Sequence, residues 1–250
     1  VTVEYAKAGP DDTRIRITAV NRGPAAATLS LLPTVWFRNT WTWCRSRAGR
    51  PSLHAESAVT VALNEPTLGE YLFTCPDAET LLFTENNANA LRLWGLQSSG
   101  YSKDAFSQYL IEGNLAAVNP ERTGTKACGL YTWQLAAGES RSVTLQLAPR
   151  AGASPDASDA VFASCIEEAD RFYRSLPSFP LSDDGIAVCR QAFAGLLWTK
   201  QYFHYVVEDW LEGDPFTSAP PPGRLHGRNS EWSHLFNEDI ISMPDKWEYP

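Results

Sequence analysis

At 250 residues, with 44% hydrophobic and 12% aromatic side chains, the chain has enough apolar material for one large core or two small ones. Its formal net charge of −8, from 21 basic against 29 acidic residues and without a basic run, argues against a nucleic-acid surface, and its longest apolar runs are far too short to span a membrane. Five scattered cysteines with no CxxC pair argue against both a zinc site and a disulfide framework; reduced thiols and a cytoplasmic setting are expected.

The first 150 residues read as strands. In TRIRITAV, Ile15, Ile17 and Ala19 alternate with Arg14, Arg16 and Thr18; NRGPA supplies a turn, and ATLSLLPTVWF resumes with Leu29 and Leu31 on one face, which predicts a hairpin. Further strands are predicted at 59–63, 70–74 and 80–84. Residues 86–126 mix Asn, Gly and Pro with aromatics without a clean period and read as long loops with short strands. A second hairpin is predicted at 129–147, where Tyr131, Trp133 and Leu135 alternate before AAGES, and Val143, Leu145 and Leu147 alternate after it. Together these predict an antiparallel β-sandwich domain over 1–150.

After the linker APRAGASPDAS the period changes. Val161, Phe162, Cys165, Ile166, Ala169, Phe172, Tyr173 and Leu176 fall three and four apart, predicting an amphipathic helix over 158–176. LPSFPLS breaks it. Ser182 is a candidate N-cap, followed by Asp183 and Asp184, for a second helix over roughly 182–211. Its Ile186, Cys189, Phe193, Leu196, Leu197 and Phe203 make one face, while Trp198, Tyr202, Tyr205 and Trp210 add aromatic bulk to others. A helix apolar on several sides is buried on several sides, so polypeptide outside these 250 residues is expected to cover it, and the uncovered chain is expected to self-associate. The start at Val1 and the ending on WEYP carry the same expectation of an internal piece of a longer protein.

Carboxylates crowd the last twenty residues: Glu231, Glu238, Asp239, Asp245 and Glu248. Glycoside hydrolysis needs a pair of carboxyl groups, although acidic residues in a surface loop are ordinarily solvated. His204 and His234 lack metal-ligand spacing and read as hydrogen-bonded structure. No GxSxG, GxxxxGK[ST] or strand-linked GxGxxG motif is present. The stretch VWFRNTWTWCRS sets Trp36, Trp41 and Trp43 beside Arg38 and Asn39; it suits either the lining of a sugar cleft or a strand packed against a neighbour.

LPTVWFRNTW, LLFTENNAN, AVNPERTGTKA, AGLLWTKQYFHYVVEDWL and RNSEWSHLFNEDIISMPDKWEYP resemble glycoside hydrolase family 63, which includes mannosyl-oligosaccharide glucosidase and mannosylglycerate hydrolase. The resemblance covers nearly the whole chain. It implies a β-sandwich over 1–150, then, over 151–250, a linker and the first helices of a truncated (α/α)6 barrel. It also implies an inverting hydrolysis of α-glucosides or α-mannosides without a cofactor, with the acid and base beyond residue 250. Only Tyr249, and more weakly Trp247, match positions that contact substrate in relatives. The competing expectation is a non-catalytic carbohydrate-binding or interaction sandwich with a helical tail.

Overall fold

The computed structural model describes residues 1–41, 49–96, 100–152, 159–213 and 219–243. Alternating apolar residues build two antiparallel sheets. The first contains β1 (Thr2–Lys7), β2 (Thr13–Val20), β5 (Ser52–Ala55), β6 (Thr60–Glu65), β7 (Gly69–Thr74), β9 (Thr123–Gly124) and β11 (Ser140–Pro149), in the order β1-β2-β11-β7-β6-β5-β9. The second surrounds β10 (Lys126–Leu135). Strands β3 (Ala27–Leu31) and β4 (Thr34–Trp36) share one register along one edge of β10, and β8 (Thr80–Thr84) takes the other. Proline has no N–H to give to a ladder, so the run from β3 to β4 is interrupted at Leu32 and Pro33.

The core lies between the sheets. Ile17, Ala19, Leu53, Val61, Phe73 and Leu145 from the first meet Leu81, Phe83, Tyr131, Trp133 and Leu135 from the second. The hydroxyl of buried Tyr131 donates to the Pro76 carbonyl at 2.9 Å, so the polar end of this core ring is satisfied.

The two expected hairpins are not hairpins. Strand β2 does not pair with β3, nor β10 with β11; each connection crosses from one sheet to the other. The two corners bond to each other: the Asn21 N–H donates to the Glu139 carbonyl at 2.9 Å, and the Gly138 N–H to the Asn21 carbonyl at 2.8 Å. Alternation fixes which face of a strand is apolar and leaves its partner open, and in a sandwich two strands facing one core across the gap alternate just as paired ones do. True hairpins join β1 to β2, β5 to β6 and β6 to β7.

The stretch 86–126, expected to be loops with short strands, also holds α1 (Ala90–Trp94), α2 (Ala105–Ile111) and a 3-10 turn at Leu115–Ala117. These are too short for a helical period to register, and local caps start two of them: Asn89 accepts from the Arg92 N–H, and Asn114 from the Ala116 N–H.

The described residues up to Cys165 form one compact unit and those from Ile166 a second. Helix α3 (Asp159–Ser175) runs through the division. Its first turns cover the outer face of the first sheet, where Phe162 is buried beneath the Arg16 guanidinium, 4.2 Å from the ring centroid. In the second unit, α4 (Asp183–Trp198) starts as expected, with the Gly185 N–H donating to Ser182 Oγ at 3.2 Å. It stops far short of residue 211. The chain continues as β12 (Lys200–Val206) and α5 (Val207–Glu212), and β12 pairs with β13 (Phe236–Ser242). KQYFHYV is aromatic and alternating, and once a partner strand exists it satisfies the pleat better than a helix. Tyr202, Tyr205 and Trp210 therefore belong to β12 and α5, but α4 is still apolar on more than one side: Val188, Leu196, Leu197 and Trp198 are exposed. Among the described residues from Ile166 onward, only Val206 and Val207 are buried. No helix among the described residues is long and apolar enough to cross a membrane.

Candidate functional site

At one end of the sandwich, three segments distant in sequence converge: residues 37–41 after β4, residues 85–89 after β8, and Thr125 between β9 and β10. Thr125 is 1% exposed and acts as the joint. Its Oγ1 accepts from the Asn86 N–H at 2.8 Å and donates to Glu85 Oε2 at 2.6 Å, while its carbonyl accepts from the Phe37 N–H at 3.0 Å. Asn86 Nδ2 donates to the Phe37 carbonyl at 2.9 Å, and Asn39 Nδ2 to Asn87 Oδ1 at 2.7 Å. Glu85 also pairs with Arg50 at 2.6 Å, and the Arg50 guanidinium stands 5.5 Å from the centre of the Trp41 ring.

Asp104 anchors the neighbouring loop. It accepts from Ser102 Oγ at 2.7 Å, from Asn89 Nδ2 at 3.1 Å and from Gln108 Nε2 at 3.2 Å, and Arg92 lies 3.5 Å away. Burial raises the pKa of this carboxyl, but the hydrogen bonds together outweigh burial and hold it below the usual range. The other displaced carboxyls, Glu4, Glu56 and Glu65, also move down, chiefly through hydrogen bonds from Arg16, Arg150 and Thr67. That direction is opposite to the one that suits a general acid. Half-buried amides, a paired carboxylate and an indole thus share one end of the sandwich, tied to one another by hydrogen bonds and an ion pair.

The second unit carries a different surface. Along one face of the β12–β13 ribbon, the Tyr202 and His204 rings lie parallel with centroids 6.1 Å apart, and Phe236 meets His204 edge-on at 6.4 Å. The Tyr202 hydroxyl donates to Glu238 Oε1 at 3.1 Å. Glu238 and Asp239, expected in a surface loop, are strand residues opposite His204 and Phe203. Glu231 lies in a 3-10 turn, Ser230–Trp232, and His234 stacks on Trp232 at 5.9 Å. Trp36 ends β4 and is 55% exposed.

Tyr249 and Trp247, the two residues carried over from the resemblance, lie outside the described residues, as do Asp245, Glu248 and Trp43. Among the described residues no group of His, Cys, Asp and Glu could hold a metal ion. Buried Cys75 is pushed up to about 12 by desolvation, and desolvation raises buried Cys128 as well, so neither is poised as a nucleophile. Reading single motifs missed Glu85, Asn86, Asn87, Arg50, Asp104 and Thr125 as site residues. The available signal was that Glu85, Asn86 and Asn87 sit in LLFTENNAN, Asn39 and Trp41 in LPTVWFRNTW, and Thr125 in AVNPERTGTKA.

The fold is thus mainly β, an antiparallel sandwich followed by helices, with a polar and aromatic cluster at one end. No protein-family model matches the chain. It is similar to an uncharacterized protein of Saccharomyces cerevisiae, 35% identical over 281 residues, an alignment that takes in 96% of this chain. The chain spans about a quarter of that protein's length, 26%.

Proposed function

We propose that the chain is the β-sandwich and the first helices of a glycoside hydrolase related to family 63, which cleaves α-glucosides or α-mannosides with inversion and without a cofactor. One observation carries the reading. Three of the sequence strings on which the resemblance rests meet through direct hydrogen bonds at Thr125, Asn86, Phe37, Asn39 and Asn87, on a surface chemically suited to sugar hydroxyls. In this reading the acid and base lie beyond residue 250, the exposed apolar side chains of α4 meet the remaining barrel, Tyr249 and Trp247 contact substrate, and the protein works in the cytoplasm. The 250-residue chain is then inactive alone. The test compares it with the whole polypeptide encoded by its gene on a panel of α-glucosides and α-mannosides. Hydrolysis by the whole protein alone is expected. Turnover by the 250-residue chain would refute the placement of the catalytic pair. Sugar binding without hydrolysis by the whole protein would favour a carbohydrate-binding sandwich instead.

A further inference from the structure

The first sheet is wider than the second, and the excess leaves one strip of the sandwich interior uncovered by the described strands. One corner joins β2 to β3, the other joins β10 to β11, and the two corners are hydrogen-bonded to each other. Strand β3 therefore faces β2, and β10 faces β11, so that no described strand faces β1. Burial along β1 is accordingly inverted. Ala6, on the outer face, is 3% exposed, whereas Val3 and Tyr5, in register with Ile17 and Ile15 on the core side, are 45% and 70% exposed. Among the described strands β3 pairs only with β10, so its other edge offers backbone N–H and C=O groups beside this strip.

We propose that a further β-strand of the same polypeptide, encoded outside residues 1–250, pairs with the open edge of β3 and covers Val3 and Tyr5. Such a strand would alternate, with apolar residues directed at these two side chains. The yeast relative, aligned over 26% of its length, has ample polypeptide for it. A second copy of the chain fits less well: a five-residue edge and two side chains fall short of the ~1,200 Å² of a stable interface, whereas an intramolecular strand has no association entropy to overcome. The proposal is independent of any catalytic activity.

Hydrogen exchange read by mass spectrometry, on the 250-residue chain and on the whole polypeptide from its gene, tests this. Amides of residues 27–31 that are open in the short chain should exchange at least ~tenfold more slowly in the whole protein. Tyr5→Asp should leave the melting temperature of the short chain unchanged and lower that of the whole protein. Equal exchange in the two proteins, an equal effect of Tyr5→Asp in both, or a reading frame confined to 250 residues would overturn the proposal. Protection of β3 that grows with concentration of the short chain would assign the edge to a second copy and overturn it equally.

Discussion

Thr125→Val separates the hydrogen bonds of the sandwich end from its packing. Valine keeps the volume of a side chain that is 1% exposed, so no cavity opens. The Asn86 N–H loses its 2.8 Å acceptor, and an orphaned buried donor costs about 1–3 kcal/mol. Glu85 loses a 2.6 Å donor but keeps Arg50 and partial hydration, which adds about 0.5–1 kcal/mol. The sum, about 1.5–4 kcal/mol, corresponds to a fall of roughly 3–16 °C in Tm for a unit of this size. Thr125→Ser keeps the hydroxyl, loses one methyl, and should cost only about 1 kcal/mol. Denaturant unfolding followed by near-UV circular dichroism gives both values. A valine variant within about 0.5 kcal/mol of the parent, or a serine variant as damaged as the valine one, would refute the role given to the hydroxyl.

Three other outcomes are expected. In Gly124→Ala a Cβ would come within 2.3 Å of the Thr84 carbonyl oxygen, a backbone atom that cannot swing away, so the variant should be recovered largely insoluble; a soluble protein with the parental Tm would contradict the β8–β9 geometry. Asp104 has a lowered folded pKa, so its contribution is present above the unfolded value near 3.8 and is lost as pH falls through the lower folded value. The gap in Tm between the parent and Asp104→Asn should therefore be widest at about pH 6 and shrink as the pH falls below about 4, and a gap that widened on acidification would have the wrong sign. Trp198→Lys removes an indole that is 87% exposed, so light scattering should show weaker self-association at unchanged Tm; a loss of stability would mean that Trp198 is covered in solution.

What could be read in the sequence depended on the kind of signal. Face alternation placed Ile17, Trp133 and Leu145 in the core correctly, because inward and outward positions differ in chemistry. Pairing was not legible at Asn21 or at Ala136–Glu139, since a corner that changes sheets and a hairpin turn use the same Gly, Asn and Ala residues. Lys200–Val206 was misplaced in a helix because its strand partner, Phe236–Ser242, lies some thirty residues further on, beyond the reach of any local window. The candidate site was hidden for a related reason. Glu85, Thr125 and Asn86 are unremarkable singly and acquire meaning only once β8 and β10 bring them together. Trp41 was legible as a candidate because indoles are rare and bulky, but the Arg50 partner that sits over its ring was not.

The most direct measurement is a proton NMR time course of an α-glucoside or α-mannoside with the whole protein produced from its own gene. If the proposed inverting hydrolysis holds, the β-anomer of the released sugar appears first and then mutarotates, the signature of a water activated on the face opposite the leaving oxygen. First appearance of the α-anomer, or an unchanged substrate spectrum across the panel, would contradict it.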